Sequence, residues 1–351
     1  MKRFLLILAA LLIAGGVTIT IRIGGQPAPE AAPPVIEGLP IEDAPADVDG
    51  PEGWSGVESL TITAAWAAQQ PAFQLIHPDS GEPVWQDNAN ARVCQWETQA
   101  ALIGGELPPN VPQEIGDCTS QGAATAIERM QSGGGIRGPP AEFREVSTMW
   151  LYGVGRVWIA QGRFGPGDGC SGAAIAQAAR DYGVLPLDTP GLPSYSGATA
   201  REWGRKGPPE QFKAIAAQYR VKTVSRLRSA GDVRDAVCND HGVTIASDWG
   251  TANSVMRVRD GRIVAVRHGR WMHQMCVDGY DGSVPGRRYY HITNSWGPNL
   301  HPQPIDGSPP GGFWVEEKEI EYIVAQGDTW AYSDFDGFPA RLDVSPLRPG
   351  R

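Results

Sequence analysis

Cysteine is scarce in this chain, and its five cysteines, Cys94, Cys118, Cys170, Cys238 and Cys276, lie far apart. None forms a Cys-x-x-Cys pair, the close spacing from which structural zinc sites are built, so no metal is expected. The odd count leaves at least one thiol unpaired, or paired with another chain, in an oxidising compartment. Cys94, Cys238 and Cys276 read as small buried hydrophobes. Positive charge is also short: 30 Lys and Arg against 39 Asp and Glu leave a net charge of −9 at pH 7. Such a surface repels phosphate backbones, which argues against nucleic acid as a partner. No repeating period organises the 44 Gly and 30 Pro, which therefore read as loop-rich architecture and not as a fibrous repeat. What is present, 41% hydrophobic and 20% charged residues in 351, is ordinary globular composition with enough apolar side chains for a sizeable core.

Long apolar runs are missing except at the start, where Lys2 and Arg3 precede a run from Phe4 to Ile21. About 18 residues is the lower edge for a spanning helix. A basic start before an apolar stretch also describes a secretory signal, although no small-x-small cleavage site follows it. Residues 1–23 are read as a signal peptide or membrane anchor, with the remainder exported and either secreted or held at the membrane. Residues 24–56 are rich in Pro, Ala and acid, as in Ala44-Pro45-Ala46-Asp47, and read as an extended linker. Residues 57–91 fit either a propeptide-like segment or a domain edge. Within them Leu60-Thr61-Ile62-Thr63 alternates like a short strand, and Asp79-Ser80-Gly81 reads as a turn.

Chemistry first becomes legible at Gly116-Asp117-Cys118-Thr119-Ser120-Gln121-Gly122. The apolar positions Ala123, Ala124, Ile127 and Met130 that follow have helical spacing, and Gly133-Gly134-Gly135 ends it. Cys118 therefore sits at or beside a helix N-terminus, where unpaired N–H groups and the macrodipole favour a thiolate. A nucleophile also needs a base. Downstream, His273-Gln274-Met275-Cys276-Val277-Asp278-Gly279-Tyr280-Asp281 precedes a Gly/Pro turn and then Tyr289-Tyr290-His291-Ile292-Thr293-Asn294-Ser295-Trp296-Gly297.

These segments resemble the papain-like cysteine peptidase family, in which one strand carries the histidine and the next ends in Asn-Ser-Trp-Gly. The resemblance covers about residues 92 to 335 and implies an α+β, two-lobe fold: a helical lobe carrying Cys118 and a β-barrel-like lobe carrying His273 and Asn294. It implies a cysteine-type endopeptidase working through a thioester, with Cys118 as nucleophile, His273 as general base and Asn294 orienting the imidazole. Gln113 is the implied oxyanion donor, Trp296 a shield over the His–Asn bond at the substrate cleft, and Gly172 a cleft-wall glycine whose backbone pairs with substrate. The chain departs from the family pattern in places. Gln113 lies five positions before Cys118 where the family usually has six, Thr119 stands where a tryptophan is common, Ile115 replaces a cysteine so that Cys170 lacks its usual disulfide partner, and Ala173 replaces a second glycine.

His268 and His291 are rivals for the base, but the Gly279-Tyr280-Asp281 that follows favours His273. His77, His241 and His301 read as surface or structural. Asp278 and Asp281 are weaker candidates than Asn294 for orienting the base. Helices are expected over Ser147–Trp158, Pro208–Tyr219 and Ala230–Cys238, a buried strand over Val243–Ala246, and a hairpin turning at Asp260-Gly261. Residues 336–351 read as a C-terminal tail. The expected partner is a polypeptide substrate and no cofactor is called for. Two other readings stay open: an acyl transferase or isopeptidase using the same triad, and an inactive papain-like binding module.

Overall fold

The computed structural model describes residues 38, 41, 44–47, 50–56, 59–134 and 143–341. The apolar run at residues 1–23 lies outside them; among the described residues no helix is long and apolar enough to cross a membrane.

Helices come mostly first and strands mostly later. The helices are α1 (Thr61–Gln69), α2 (Gln95–Ile103), α3 (Cys118–Gly134), α4 (Thr148–Gly153), α5 (Gly172–Asp181), α6 (Gly197–Lys206), α7 (Lys213–Ala216), α8 (Ala230–Cys238) and α9 (Glu317–Val324). The strands are β1 (Leu75–Ile76), β2 (Arg92–Cys94), β3 (Thr223–Arg226), β4 (Gly242–Ser247), β5 (Arg257–Arg259), β6 (Arg262–Ala265), β7 (His273–Asp281), β8 (Tyr289–Thr293), β9 (Gly312–Glu316), β10 (Trp330–Ser333) and β11 (Phe338–Pro339). The main sheet runs β3-β10-β4-β7-β8-β9-β6-β5, with β2 added beside the far end of β7. All its pairings are antiparallel except β6 with β9.

Two apolar cores build two lobes. One gathers Ile127, Met149, Trp150, Leu151, Tyr152 and Ile175 around α3, α4 and α5. The other packs Val233 and Val237 of α8 and Ile320 and Ile323 of α9 on Ile245, Val277, Tyr290 and Phe313 of the sheet. The long helix α3 lies between them. A Cβ at Gly122 would stand 3.2 Å from the backbone of Met275, so the missing side chain lets α3 lie close on β7.

Most expected elements form where their chemistry places them. Ser147 caps α4 by accepting from the N–H of Trp150, and Ser229 caps α8 by accepting from Asp232. The expected helix over Ser147–Trp158 continues past Gly153 as a π-helix, Val154–Ile159. Its buried Arg156 donates to the carbonyls of Gly165 and Gly167, each at 2.7 Å, and so fixes the loop leading to Cys170. Positive φ at Asp260 (49°) and Gly261 (73°) makes the β5–β6 turn. Pro208–Tyr219 yields only a 3-10 turn, Glu210–Phe212, and the short α7.

Leu60–Thr63 is not a strand. Thr61 starts α1 because Ala64, Ala65, Ala67 and Ala68 follow, and that alanine-rich run outweighs four alternating residues. The beginning of the expected C-terminal tail is structured: β11 pairs in parallel with β1, Leu75 opposite Phe338, so residues 75–76 and 338–339 close the same flank.

Candidate active site

Cys118 is the first residue of α3, as its sequence setting predicts. Its surroundings are set by β7. The thiol shares an apolar cluster with Met272, the residue before His273, and the backbone N–H of Gln274, the residue after it, points at the sulfur. Gln274 also ties the two elements directly, its Nε2 donating to the carbonyl of Thr119 at 2.6 Å. The thiol is thus bracketed by both chain neighbours of His273.

His273 and Asn294 meet because β7 and β8 are antiparallel with Cys276 opposite Thr293, which brings the start of one strand beside the end of the other. Nε2 of His273 lies 2.8 Å from Oδ1 of Asn294. The same oxygen accepts from the N–H of Ser295 at 2.7 Å, which fixes the orientation of the carboxamide. Nδ1 of His273 is buried without a hydrogen-bond partner among the described residues. Trp296 packs over the imidazole, ring centroids 4.4 Å apart. Burial holds the imidazole well below its ordinary value, at about 4, so it is neutral at physiological pH.

Gln113 is buried and belongs to this group. Its Oε1 accepts from the hydroxyl of Ser295 at 2.6 Å, and its Nε2 donates to the carbonyls of Pro51 (2.7 Å) and Ile115 (2.9 Å). Gly172 takes another place than expected. As the first residue of α5 its N–H donates to Asp328 at 2.8 Å, and the backbone pairing along this wall falls to Cys170.

What pairs with Cys170 is the chain itself. Residues 50–56, at the end of the segment read as a linker, cross the site as an extended strap. The N–H groups of Gly53 and Trp54 both donate to the carbonyl of Met272, at 3.0 and 2.9 Å. On the opposite wall Cys170 N–H donates to Gly53 O (2.7 Å) and Ser55 N–H to Cys170 O (2.9 Å). The pairing of Trp54 with Cys170 is parallel. Gly53 lies against Gly116, where a Cβ would run into the Gly116 carbonyl. Trp296 Nε1 joins Gln113 on the Pro51 carbonyl, at 3.2 Å. Trp54 fills the recess beside the thiol, in one cluster with Cys118, Ala246 and Met272.

This strap reverses one expectation about Cys118. The helix N-terminus favours a thiolate, but full burial beneath residues 50–56 pushes the thiol well above its ordinary value, and the N–H groups of Gln274 and Gly53 offset only part of that.

No family model matches the chain, and no curated protein matches it. Among solved structures it is similar to xylellain, a cysteine protease from Xylella fastidiosa, at 19% identity and a TM-score of 0.41, over 76% of this chain and 97% of that one. It is similar to the ragweed pollen cysteine protease Amb a 11 in its proform, at 14% identity and a TM-score of 0.48, over 78% of this chain and 73% of that one. Procathepsin L 3 of the Tenebrio molitor larval midgut is a third, at 16% identity and a TM-score of 0.45, over 80% and 82%. The chemistry of the site follows from its own residues.

The remaining histidines sort by environment. His268 is exposed. His291 is fully buried and committed elsewhere: its Nδ1 lies 2.7 Å from Oδ1 of Asp278, whose Oδ2 accepts from Arg129 Nε and Thr293 Oγ1, both at 2.9 Å. Asp278 therefore orients His291, not His273; it reaches there because the β7–β8 register shifts between Val277 and Gly279. His241 is buried. His301 is also buried, and its Nε2 lies 2.8 Å from Nδ2 of Asn294. Sequence offered no signal for this contact, since His301 sits in the Pro-rich loop Pro298-Asn299-Leu300-His301-Pro302.

Proposed function

We propose that this chain is a cysteine-type endopeptidase that hydrolyses peptide bonds through a thioester on Cys118, and that residues 50–56 hold it in a self-blocked form. The observation that carries the reading is the 2.8 Å contact of His273 Nε2 with Asn294 Oδ1, with the thiol bracketed by Met272 and Gln274. A carboxamide oxygen accepts, so the proton of a neutral His273 sits on Nε2 and the lone pair on Nδ1. Nδ1 can then take the thiol proton as sulfur attacks a carbonyl carbon. Gln113 Nε2, now on the Pro51 carbonyl, and the N–H of Cys118 stabilise the oxyanion. His273 gives the proton to the leaving amine, and water, deprotonated by the same imidazole, releases the acyl group as a carboxylic acid.

Lifting the strap admits water to Cys118 and removes the main cause of its raised pKa, which restores the helix N-terminus as the dominant influence. The basic start and apolar run of residues 1–23 support an exported enzyme, secreted or membrane-held. The test is labelling with a peptidyl epoxide before and after limited proteolysis of the N-terminal segment, in wild type and Cys118→Ala. Labelling at Cys118 that increases on proteolysis, with hydrolysis of a peptide substrate, supports the reading. Thr119, in the place where the family commonly has tryptophan, favours the binding-module reading instead; absence of labelling from the folded, strap-free protein would establish it.

A further inference from the structure

Resting on the peptidase reading, we infer that His301 is a positioning residue, which holds the carboxamide of Asn294 in the one orientation that sets the proton of His273 on Nε2.

The case is one of hydrogen-bond polarity, followed from its anchor inward. Nδ2 of Asn253 faces three backbone carbonyls, Leu300 at 2.7 Å, Pro45 at 3.2 Å and Ala46 at 3.4 Å. Carbonyls only accept, so the amide of Asn253 is fixed with its nitrogen on that side and its Oδ1 on the other. Oδ1 lies 3.0 Å from Nδ1 of His301. An oxygen there accepts, so Nδ1 of His301 carries the proton and Nε2 carries a lone pair. A neutral imidazole has one donor and one acceptor, and burial keeps this one neutral, its pKa pushed down to about 3. The lone pair at Nε2 faces Asn294 Nδ2 at 2.8 Å and accepts from it. That contact turns Asn294 Oδ1 toward His273, where Ser295 N–H supports the same orientation.

Every link agrees in direction: Asn253 amide, His301, Asn294, His273. A flip at any one would place donor against donor or acceptor against acceptor in a buried site. The imidazole of His301 is itself held by aromatic rings, Trp271 stacked at 6.0 Å and Phe313 edge-on at 5.0 Å between centroids. It is thus a rigid acceptor beneath the carboxamide.

The experiment has two arms. With histidine alone labelled with nitrogen-15, the full-length chain has six imidazoles to assign, and two-bond proton–nitrogen correlations report each tautomer. The expected result is a proton on Nδ1 of His301 and on Nε2 of His273; a His301 protonated on Nε2 overturns the inference. In the second arm, His301→Phe keeps the ring packing and removes the acceptor, whereas His301→Gln places an oxygen where Nε2 stands. In the full chain opened by Gly53→Ala, His301→Phe is expected to lower kcat by about tenfold with little change in KM, the scale of a lost buried hydrogen bond. His301→Gln is expected to recover most of that loss. Equal kcat in wild type and His301→Phe, or equal losses in both variants, overturns the inference. Should the opened chain hydrolyse nothing while the tautomers are as assigned, the peptidase reading falls and the positioning of Asn294 stands.

Discussion

The indole of Trp54 donates a 2.8 Å hydrogen bond to Oδ2 of Asp328, joining a residue near the start of the described chain to one near its end. Asp328 is fully buried and also accepts from Gly172 N–H at 2.8 Å and from Trp330 Nε1 at 2.7 Å. Burial raises its pKa, while these three donors stabilise the carboxylate. The strap is therefore held at its centre by a plug with a polar tip, in addition to its backbone pairing.

Trp54→Ala removes that plug. Truncating a buried tryptophan costs on the order of 3–5 kcal/mol where the site cannot collapse, and here the cost falls on the strap-bound state. Alkylation of Cys118 by iodoacetamide at neutral pH is expected to be at least about tenfold faster than in wild type, a change that needs only ~1.4 kcal/mol of that cost. Mass spectrometry of the modified peptide gives the rate. Equal rates would mean that residues 50–56 do not protect the thiol.

Gly53→Ala should lift the same segment for a different reason, since the new methyl meets the backbone of Gly116. Because the clash is confined to the strap, the melting temperature is expected to move by no more than a few degrees, while the Cys118 peptide becomes reactive. A large loss of melting temperature together with an unreactive thiol would refute a local strap.

Asp117, beside Cys118, gives the protein a pH dependence. It is fully buried, and desolvation lifts its pKa to about 7 against hydrogen bonds from Gln121 and Tyr195 that lower it. Between about pH 4 and 7 the folded state keeps a proton that the unfolded chain has lost, so stability falls as pH rises through that window. Asp117→Asn is neutral in both states. Its stability relative to wild type should increase from pH 4 to pH 7 and then level off, by on the order of 3–4 kcal/mol at most. Denaturant midpoints across that range measure it. His273, with its folded pKa near 4, acts in the opposite sense, costing stability as pH falls from about 6.5 to 4, and it cancels from the comparison.

Arg129→Met should be strongly destabilising. Arg129 and Asp278 are both buried, their ion pair is 2.9 Å long, and Arg129 also reaches Gln99. Removing the guanidinium leaves a buried carboxylate compensated only by His291 and Thr293, a loss of about 3–5 kcal/mol. Thermal unfolding tests this, and Arg129→Met combined with Asp278→Asn should recover part of the loss.

The site was legible where its determinants are local. His273 and Asn294 stand at the adjoining ends of strands whose alternation and intervening turn are visible in the sequence, and Cys118 opens a helix whose apolar stripe is plain. The strap was not legible, because Pro51-Glu52-Gly53 has the composition of a linker and its extended form is held by Met272 and Cys170, both more than a hundred positions away. His301 was missed for the same reason: a histidine among prolines reads as loop, and its partners Asn253 and Asn294 adjoin it only in the folded chain. At Leu60–Thr63 four alternating residues pointed to a strand, but the alanines beyond them settle the segment as helix.

All five thiols are buried and none is joined to another. No covalent bridge ties one lobe to the other, so cohesion between them is left to side-chain packing and hydrogen bonding. Reductant strong enough to keep the sulfur of Cys118 from oxidising can therefore be present from purification through assay without loosening the scaffold.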